Sequence, residues 1–320
     1  MNYKPIVIVA GEPNSVFSEI FCKAKIKYRC RKPIILIASK NNFLKQVKKL
    51  KYSLKIKQIS ENKNDISKLS NKSINLINVD YKFEKTFDKM SNRSNDYISK
   101  CFGVALNILK ENDCAGFING PISKKNFLGN RYLGITEYLA SKTIKKKVAM
   151  LIYNKKLSVS PLTTHLPLKD VHKHITKEKI INQVKLIKEF YKKQFKKNPK
   201  IAITGLNPHC ESNYKSSEET NIIKPAINYL IRNKYNVKGP YSADTIFMEN
   251  HSQKFDVILG MYHDQVLTPV KTIFGFNAVN ITLGLPFIRI SPDHGPNTPM
   301  LGKNKSDATS LIKALKFFDK

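Results

Sequence analysis

The chain has no tryptophan and few acids. Its 24 Asp and Glu stand against 56 Lys and Arg, a formal net charge of +32. No apolar run is longer than a strand (Ile34 to Ala38 is typical), so no membrane-spanning helix is expected. Five cysteines, Cys22, Cys30, Cys101, Cys114 and Cys210, form an odd set without a C-x-x-C pair, which argues against a disulfide framework and a thiolate zinc site. There is no G-x-G, so the Rossmann dinucleotide fingerprint and the Walker A loop are both missing, and no G-x-S-x-G nucleophile elbow occurs. A dinucleotide, if bound, is held in another mode.

With 320 residues and 41% hydrophobic content, the chain can bury a large core. Ile6 to Ala10, directly after Met1-Asn2-Tyr3-Lys4-Pro5, is too short for a signal sequence and reads as the first strand of a cytoplasmic protein. Further strands are expected at Ile34–Ala38, Ile74–Val79, Ala115–Ile118, Val148–Tyr153, Ser158–Thr163, Ile201–Leu206, Val257–Met261 and Val279–Leu283. They are rich in Ile and Val and mostly apolar on both faces, as in a sheet covered by helices on both sides. A helix is expected after the N-cap Thr176, with Ile180, Val184, Ile187 and Tyr191 inward, and another from Asp96 to Asn112. Residues 40 to 95 read as surface helices and loops. The alternation of elements predicts a three-layer α/β/α architecture.

Polar residues cluster on turns after strands, where ligands collect in open α/β sheets. His165, His209 and His263 each follow a β run closely, and imidazole is the commonest side chain for a catalytic divalent metal. Three isolated turn histidines would read the same way from spacing alone. His172, His174 and His251 read as structural or surface residues. Asp244 and Asp264 occupy similar positions and are candidate catalytic carboxylates, with helix capping or support of neighbouring groups as the alternative. Lys271, Asn280 and Arg289 supply donors for phosphate or carboxylate. Arg289 lies in the apolar run Leu285-Pro286-Phe287-Ile288-Arg289-Ile290, where a charge is costly unless paired.

Taken together, several strings resemble the 4-hydroxythreonine-4-phosphate dehydrogenase family. They are Asn119-Gly120-Pro121-Ile122-Ser123-Lys124, Thr163-Thr164-His165-Leu166-Pro167-Leu168, Gly205-Leu206-Asn207-Pro208-His209, Gly239 to Thr245, Tyr262-His263-Asp264-Gln265, and Lys271 with Val279 through Arg289 and Asp293-His294-Gly295. The resemblance implies an isocitrate/isopropylmalate dehydrogenase-like fold of two α/β lobes. Residues 1–130 with 291–320 would form a discontinuous first lobe, and 131–290 a second lobe carrying the metal site and the dimer interface. It implies a homodimer with a shared active site in the cleft at the subunit interface. One divalent ion (Zn, Mg or Co) would be held by His165, His209 and His263, one of them from the partner subunit. Thr136, Lys271, Asn280 and Arg289 fall on substrate positions, and His294 and Gly295 on the adenine side of an NAD or NADP cofactor.

The activity implied is NAD(P)-linked oxidation of 4-phosphooxy-L-threonine to the 2-amino-3-oxo acid. Decarboxylation to 3-amino-2-oxopropyl phosphate would follow, in vitamin B6 synthesis. Departures from the family pattern fall in the pocket loops. Ile135 replaces a histidine in Gly134-Ile135-Thr136-Glu137, and the loops at 11–19, 210–213 and 296–299 are glycine-poor. Two alternatives stay open: a paralogous dehydrogenase of another hydroxy acid, and a non-catalytic basic metal- or nucleic-acid-binding protein on the same fold.

Neither nucleic acid nor membrane is an expected partner, because the basic residues are spread over the whole chain. Diffuse charge gives only salt-sensitive affinity. In gel-shift titrations, any DNA or RNA binding should fade steeply between low and physiological salt. Tight binding that survives physiological salt would contradict this reading.

Overall fold

A computed structural model describes residues 4–129, 131–132, 134–144, 147–210, 216–275, 277–292 and 295–319. The chain is mixed α/β and divides into two compact units, Met1–Tyr138 with Pro286–Lys320, and Leu139–Leu285. The junctions leave Thr136 and Arg289 together in the first unit, although the sequence reading put both in the second lobe.

The first unit contains β1 (Ile6–Val9), β2 (Ile34–Ala38), β3 (Ile56–Ile59), β4 (Ile74–Asn78), β5 (Gly116–Asn119) and, after the six strands of the second unit, β12 (Arg289–Ser291). Strand order here is β3-β4-β2-β1-β5-β12, and neighbouring strands pair in parallel. Every residue of β1 is inaccessible to solvent. Burying one such Ile or Val stabilises by ~1.5–3 kcal/mol, which makes this strand a main anchor of the unit. The chain leaves β1 towards β2 on one side and later returns with β5 on the other. The C-terminal ends of β1 and β5 therefore flank a topological switch point. Their loops touch there: Glu12 N donates to Pro121 O at 2.8 Å. Gly120 permits the approach, since a Cβ on it would stand 2.1 Å from Ala10 O.

The second unit contains β6 (Ala149–Tyr153), β7 (Ser158–Pro161), β8 (Ile201–Thr204), β9 (Val237–Tyr241), β10 (Val257–Gly260) and β11 (Val279–Leu283), in the order β11-β6-β7-β10-β8-β9. β7, β10, β8 and β9 run parallel, whereas β6 is antiparallel to both β7 and β11. The helix Lys177–Phe195 starts at Thr176, whose side chain accepts from Lys179 N, and it buries Ile180, Val184, Ile187 and Tyr191 as its spacing predicts. Likewise Asn95–Glu111 is a helix, with Ile108 buried and Leu109 only partly covered.

Three strands escape the sequence reading, each for a physical reason. β3 lies in the 40–95 region, read as surface helices and loops, and is an edge strand with exposed Lys57 and Gln58. β9 holds Gly239 and Pro240, and its pairing with β8 shifts register, which an edge strand tolerates. β12 has only three residues and includes a charge. Among the described residues, no helix is long and apolar enough to cross a membrane.

The C-terminal end of the first unit is tied down by one carboxylate. Asp319 accepts from Arg31 N (3.0 Å), Lys32 N (3.1 Å) and Tyr28 Oη (2.7 Å). Burial alone would raise its pKa, but these hydrogen bonds outweigh burial and hold it below the usual carboxylate value. A depressed folded-state pKa contributes stability above the unfolded value of about 3.9, and the contribution is lost as pH falls through the folded value. Asp319→Asn should cost about 1.5–3 kcal/mol near pH 7 in denaturant melts, a cost that shrinks on acidification. An equal deficit at pH 7 and pH 3 would show that the charge is not what matters.

Candidate active site

In the second unit β7, β10 and β8 are adjacent and parallel, so the loops that follow them leave from one edge. Those loops carry His165, His263 and His209 respectively. The first two loops are joined by Leu162 N to Gly260 O (2.7 Å), Thr163 N to Met261 O (3.2 Å) and Thr163 Oγ1 to Met261 O (2.8 Å). As a result the rings of His165 and His263 face each other, with centroids 6.2 Å apart.

Gln265 ties β10 to β8. Its buried amide oxygen accepts from Met261 N (2.7 Å) and Thr204 Oγ1 (2.9 Å), and its nitrogen donates to Gly205 O (2.8 Å). Beyond β8, the buried carboxylate of Glu219 accepts from Leu206 N (2.7 Å), Asn207 N (2.9 Å) and Asn207 Nδ2 (2.9 Å). Burial pushes the pKa of Glu219 up, yet these hydrogen bonds together bring it below its ordinary value. They shape the turn that presents His209. The turn is strained, because His209 (φ 58°) and Cys210 (φ 57°) both adopt left-handed backbone. Such conformations cost non-glycine residues roughly 1–2 kcal/mol each.

Two carboxylates lie against the histidines. Asp264 Oδ1 is 2.6 Å from His263 Nδ1, so a neutral ring there donates through Nδ1 and keeps Nε2 as an acceptor. Asp244 Oδ2 stands 3.9 Å from His209 Nδ1, and its Oδ1 accepts from Ser242 Oγ at 2.5 Å. That hydrogen bond, more than the nearby imidazole, lowers the Asp244 pKa. His172 and His174 are exposed, and His251 Nδ1 lies 3.2 Å from Thr245 O, on the residue after Asp244.

The donor chemistry fits a divalent ion. Two imidazoles sharing an ion at about 2.0–2.1 Å from nitrogen have centroids about 5 Å apart around a tetrahedral ion and about 6.5 Å apart when the nitrogens stand opposite each other, and the 6.2 Å separation lies near the wide end of that range. Among the described residues, one chain brings no three His, Cys, Asp or Glu side chains around a single point. His209 stands with Asp244 instead. Lys271 is exposed in the last turn of the helix His263–Phe274, and Asn280 is half-buried on β11 opposite Ile152.

The first unit holds a separate cationic centre. Arg289 on β12 is 1% exposed. Its Nε donates to Asn119 Oδ1 (2.8 Å) and its Nη1 to Thr136 Oγ1 (3.1 Å), which resolves the expected cost of a charge in an apolar run. Burial lowers its pKa to about 10, with the Glu137 charge working in the opposite direction, so the guanidinium stays protonated at neutral pH. Ile135 opens the helix Ile135–Lys142 beside Thr136 and is half-buried. Glu12, after β1, is also buried, accepting from Ser94 Oγ (2.8 Å) and Asn14 N (3.2 Å); burial raises its pKa despite both bonds. Of the residues expected on the cofactor side, Gly295 is exposed and His294 lies outside the described residues.

Asn119, Gln265 and Glu219 had no assigned role in the sequence reading. Asn119 and Gln265 lie in strings already singled out, so an amide closing a strand end was a usable signal. Glu219 follows Lys215-Ser216-Ser217-Glu218, a stretch that reads as solvated surface.

The fold defines a class first. It is shared with a terephthalate 1,2-cis-dihydrodiol dehydrogenase from Burkholderia xenovorans LB400, at a TM-score of 0.67 and 18% identity, covering 99% of this chain and 98% of that one; this is a likeness of fold alone. Within that class the chain belongs to the family of pyridoxal phosphate biosynthetic protein PdxA, whose model matches residues 29–318. It is 41% identical over 315 residues to a 4-hydroxythreonine-4-phosphate dehydrogenase of Sulfurihydrogenibium sp. (strain YO3AOP1), covering 97% of this chain and 96% of that one. It also matches the crystal structure of a 4-hydroxythreonine-4-phosphate dehydrogenase from Klebsiella pneumoniae, with a TM-score of 0.84, 26% identity and 98% of each chain covered.

The hydrogen bonds of Gln265 yield a test. Gln265→Leu keeps the volume but strands Met261 N, Thr204 Oγ1 and Gly205 O. It should lower unfolding free energy by about 3–5 kcal/mol, given 1–3 kcal/mol for each buried unsatisfied group. A loss below about 1 kcal/mol in urea melts would show that Gln265 does not hold these strand ends.

Proposed function

We propose that the protein is a metal-dependent, NAD(P)-linked dehydrogenase that oxidises the secondary alcohol of 4-phosphooxy-L-threonine to the 2-amino-3-oxo acid. Loss of carbon dioxide then gives 3-amino-2-oxopropyl phosphate. The observation that carries the proposal is the gathering of the His165, His263 and His209 loops at one edge of three adjacent parallel strands, with two of the rings 6.2 Å apart. Family membership supplies the substrate class, and relatives along nearly the whole chain carry the name of this dehydrogenase.

In this reading His165, His209 and His263 hold one divalent ion, one of the three coming from a second copy of the chain in a homodimer. When bound, the ion lowers the pKa of the substrate hydroxyl and stabilises negative charge on oxygen. Asp264 holds the His263 ring through Nδ1 and keeps Nε2 directed outward as a neutral donor. Asp244, ionised and oriented by Ser242, is the candidate acceptor for the hydroxyl proton. Arg289 is fixed by Asn119 and Thr136 and offers its charge to an anionic end of the substrate; Lys271 and Asn280 supply further donors.

Ile135 favours a second reading, a related hydroxy acid as the preferred substrate, since it can neither donate a hydrogen bond nor carry charge. A hydrogen bond to a charged group is worth about 1.5–3 kcal/mol, roughly ten- to hundredfold in rate or affinity.

The test is reduction of NAD or NADP, followed by absorbance, with 4-phosphooxy-L-threonine and added divalent metal. Activity is expected in the wild type, and metal analysis should show His209→Ala to have lost its stoichiometric ion. Ile135→His should raise kcat/KM for this substrate about tenfold or more. Full metal content in His209→Ala would overturn the metal assignment. Lower kcat/KM in Ile135→His would show a pocket rebuilt around isoleucine. No turnover of any hydroxy acid by a metal-loaded wild type would leave a non-catalytic binding protein as the better reading.

A further inference from the structure

A groove of about 680 Å³ opens in the first unit, within the range of about 300–1,000 Å³ usual for small-molecule sites. Its lining includes Lys4, Pro33 and Lys72, which precede β1, β2 and β4, so it lies where these parallel strands begin. Arg289 belongs to the other edge, since its guanidinium is bonded to Asn119 at the far end of β5. None of the residues assigned to the dehydrogenase chemistry lines this groove.

The turn before β4 is held from inside the sheet. Asn75 is wholly buried on β4; its Oδ1 accepts from Ser70 N (3.0 Å), and its Nδ2 donates to Ser70 O (3.0 Å) and Ile34 O (3.0 Å). A buried amide is costly in an apolar sheet unless it is satisfied, and these three bonds satisfy it by fastening the turn to the start of β2. Asn71 Nδ2 donates to Arg31 O at 2.5 Å and closes the turn on the segment leading into β2. Ser70 Oγ accepts from Lys72 N at 3.1 Å, which fixes the backbone that carries Lys72. Three lysines from three separate segments, Lys4, Lys63 and Lys72, line the groove with one carboxylate, Asp113. Lys4 Nζ is 2.7 Å from Asp113 Oδ2, so that carboxylate is already matched. Among the described residues Lys63 and Lys72 have no ion-pair partner, which leaves the lining two positive charges in excess. Pro5, Pro33, Ile66 and Leu69 supply its apolar part. Lysines are everywhere in a chain of net charge +32. What sets this pair apart is a shared concave site with apolar surface, beside a turn that a wholly buried side chain holds in place.

We propose that this groove binds a small phosphate monoester with a flat, apolar body, one molecule per chain. A phosphate monoester carries nearly two negative charges and three acceptor oxygens, which Lys63 and Lys72 can share as point charges. The body of the ligand lies against the proline rings and Ile66, and its burial adds to the attraction between charges. Inorganic phosphate has the charge without the body and is therefore the weaker ligand. Membership of a family in pyridoxal phosphate biosynthesis makes a phosphorylated pyridine the first compound of this class to try. Pyridoxine 5′-phosphate is the suitable probe, because it lacks the aldehyde with which pyridoxal phosphate condenses with lysines at large.

The test is calorimetric titration of the full-length protein with pyridoxine 5′-phosphate at physiological salt. Saturable binding of one molecule per chain is expected, with inorganic phosphate binding more weakly. Since a hydrogen bond to a charged group is worth about 1.5–3 kcal/mol, Lys63→Ala/Lys72→Ala should weaken the probe by roughly tenfold or more. The control is Lys192→Ala/Lys193→Ala, which removes two exposed charges from the long helix of the second unit and should leave affinity unchanged. Both double variants should unfold at the wild-type midpoint. An equal loss in the two would reduce the binding to diffuse charge. Wild-type affinity in Lys63→Ala/Lys72→Ala would put the ligand at another site, such as Arg289. Either result overturns the proposal, as does a wild type that binds no pyridoxine 5′-phosphate at millimolar concentration.

Discussion

The hydrogen bonds of one buried amide, Gln265, hold together the end of the second unit that carries the three candidate histidines. They close the ends of β10 and β8 on each other, and the Thr163 bonds to Met261 close β7 on β10. In a parallel array each strand's C-terminal end opens to the same edge. Once those ends are locked, the short loops beyond them have little freedom in where they place His165, His263 and His209. Gln265 thus has no contact with a reacting group and yet sets the spacing on which a shared ion would depend.

Charge is managed differently in the two units. The first buries its cation: Arg289 sits inside an apolar strand, and Asn119, Thr136 and Glu137 make that tolerable. A buried guanidinium has little rotational freedom, so it presents a fixed charge to an anion. The second unit sets two exposed carboxylates beside imidazoles, Asp264 bonded to His263 and Asp244 standing 3.9 Å from His209. Holding a neutral ring by one nitrogen leaves the other as a donor of defined direction, which a divalent ion requires.

Strain is also local. His209 and Cys210 both take left-handed backbone, and the loop is kept there by the bonds from Leu206 and Asn207 to Glu219. The charge-assisted bonds to a buried carboxylate are worth about 1.5–3 kcal/mol each, enough to offset two unfavourable residues. The chain therefore keeps its histidine loop in this conformation without glycine at either position.

The sequence by itself determined the nature of the elements. Ile- and Val-rich runs, both faces apolar, make buried strands wherever they are placed, and the stripe from Ile180 to Tyr191 makes a helix with one buried face, because these patterns are local. It also determined which residue types stand at strand ends, and so which side chains were candidates. Only the tertiary structure decided strand order, and with it the partners. Pairing of β7 with β10 brings His165 against His263, although 98 positions separate them in the chain. Pairing of β5 with β12 puts Asn119 on Arg289 across 170 positions. The edge strands β3 and β9 and the short β12 carry too little local pattern to be seen alone, and Glu219 looks like solvated surface until the loop it holds is folded over it. Such contacts depend on the summed burial of distant segments, which no window of sequence contains.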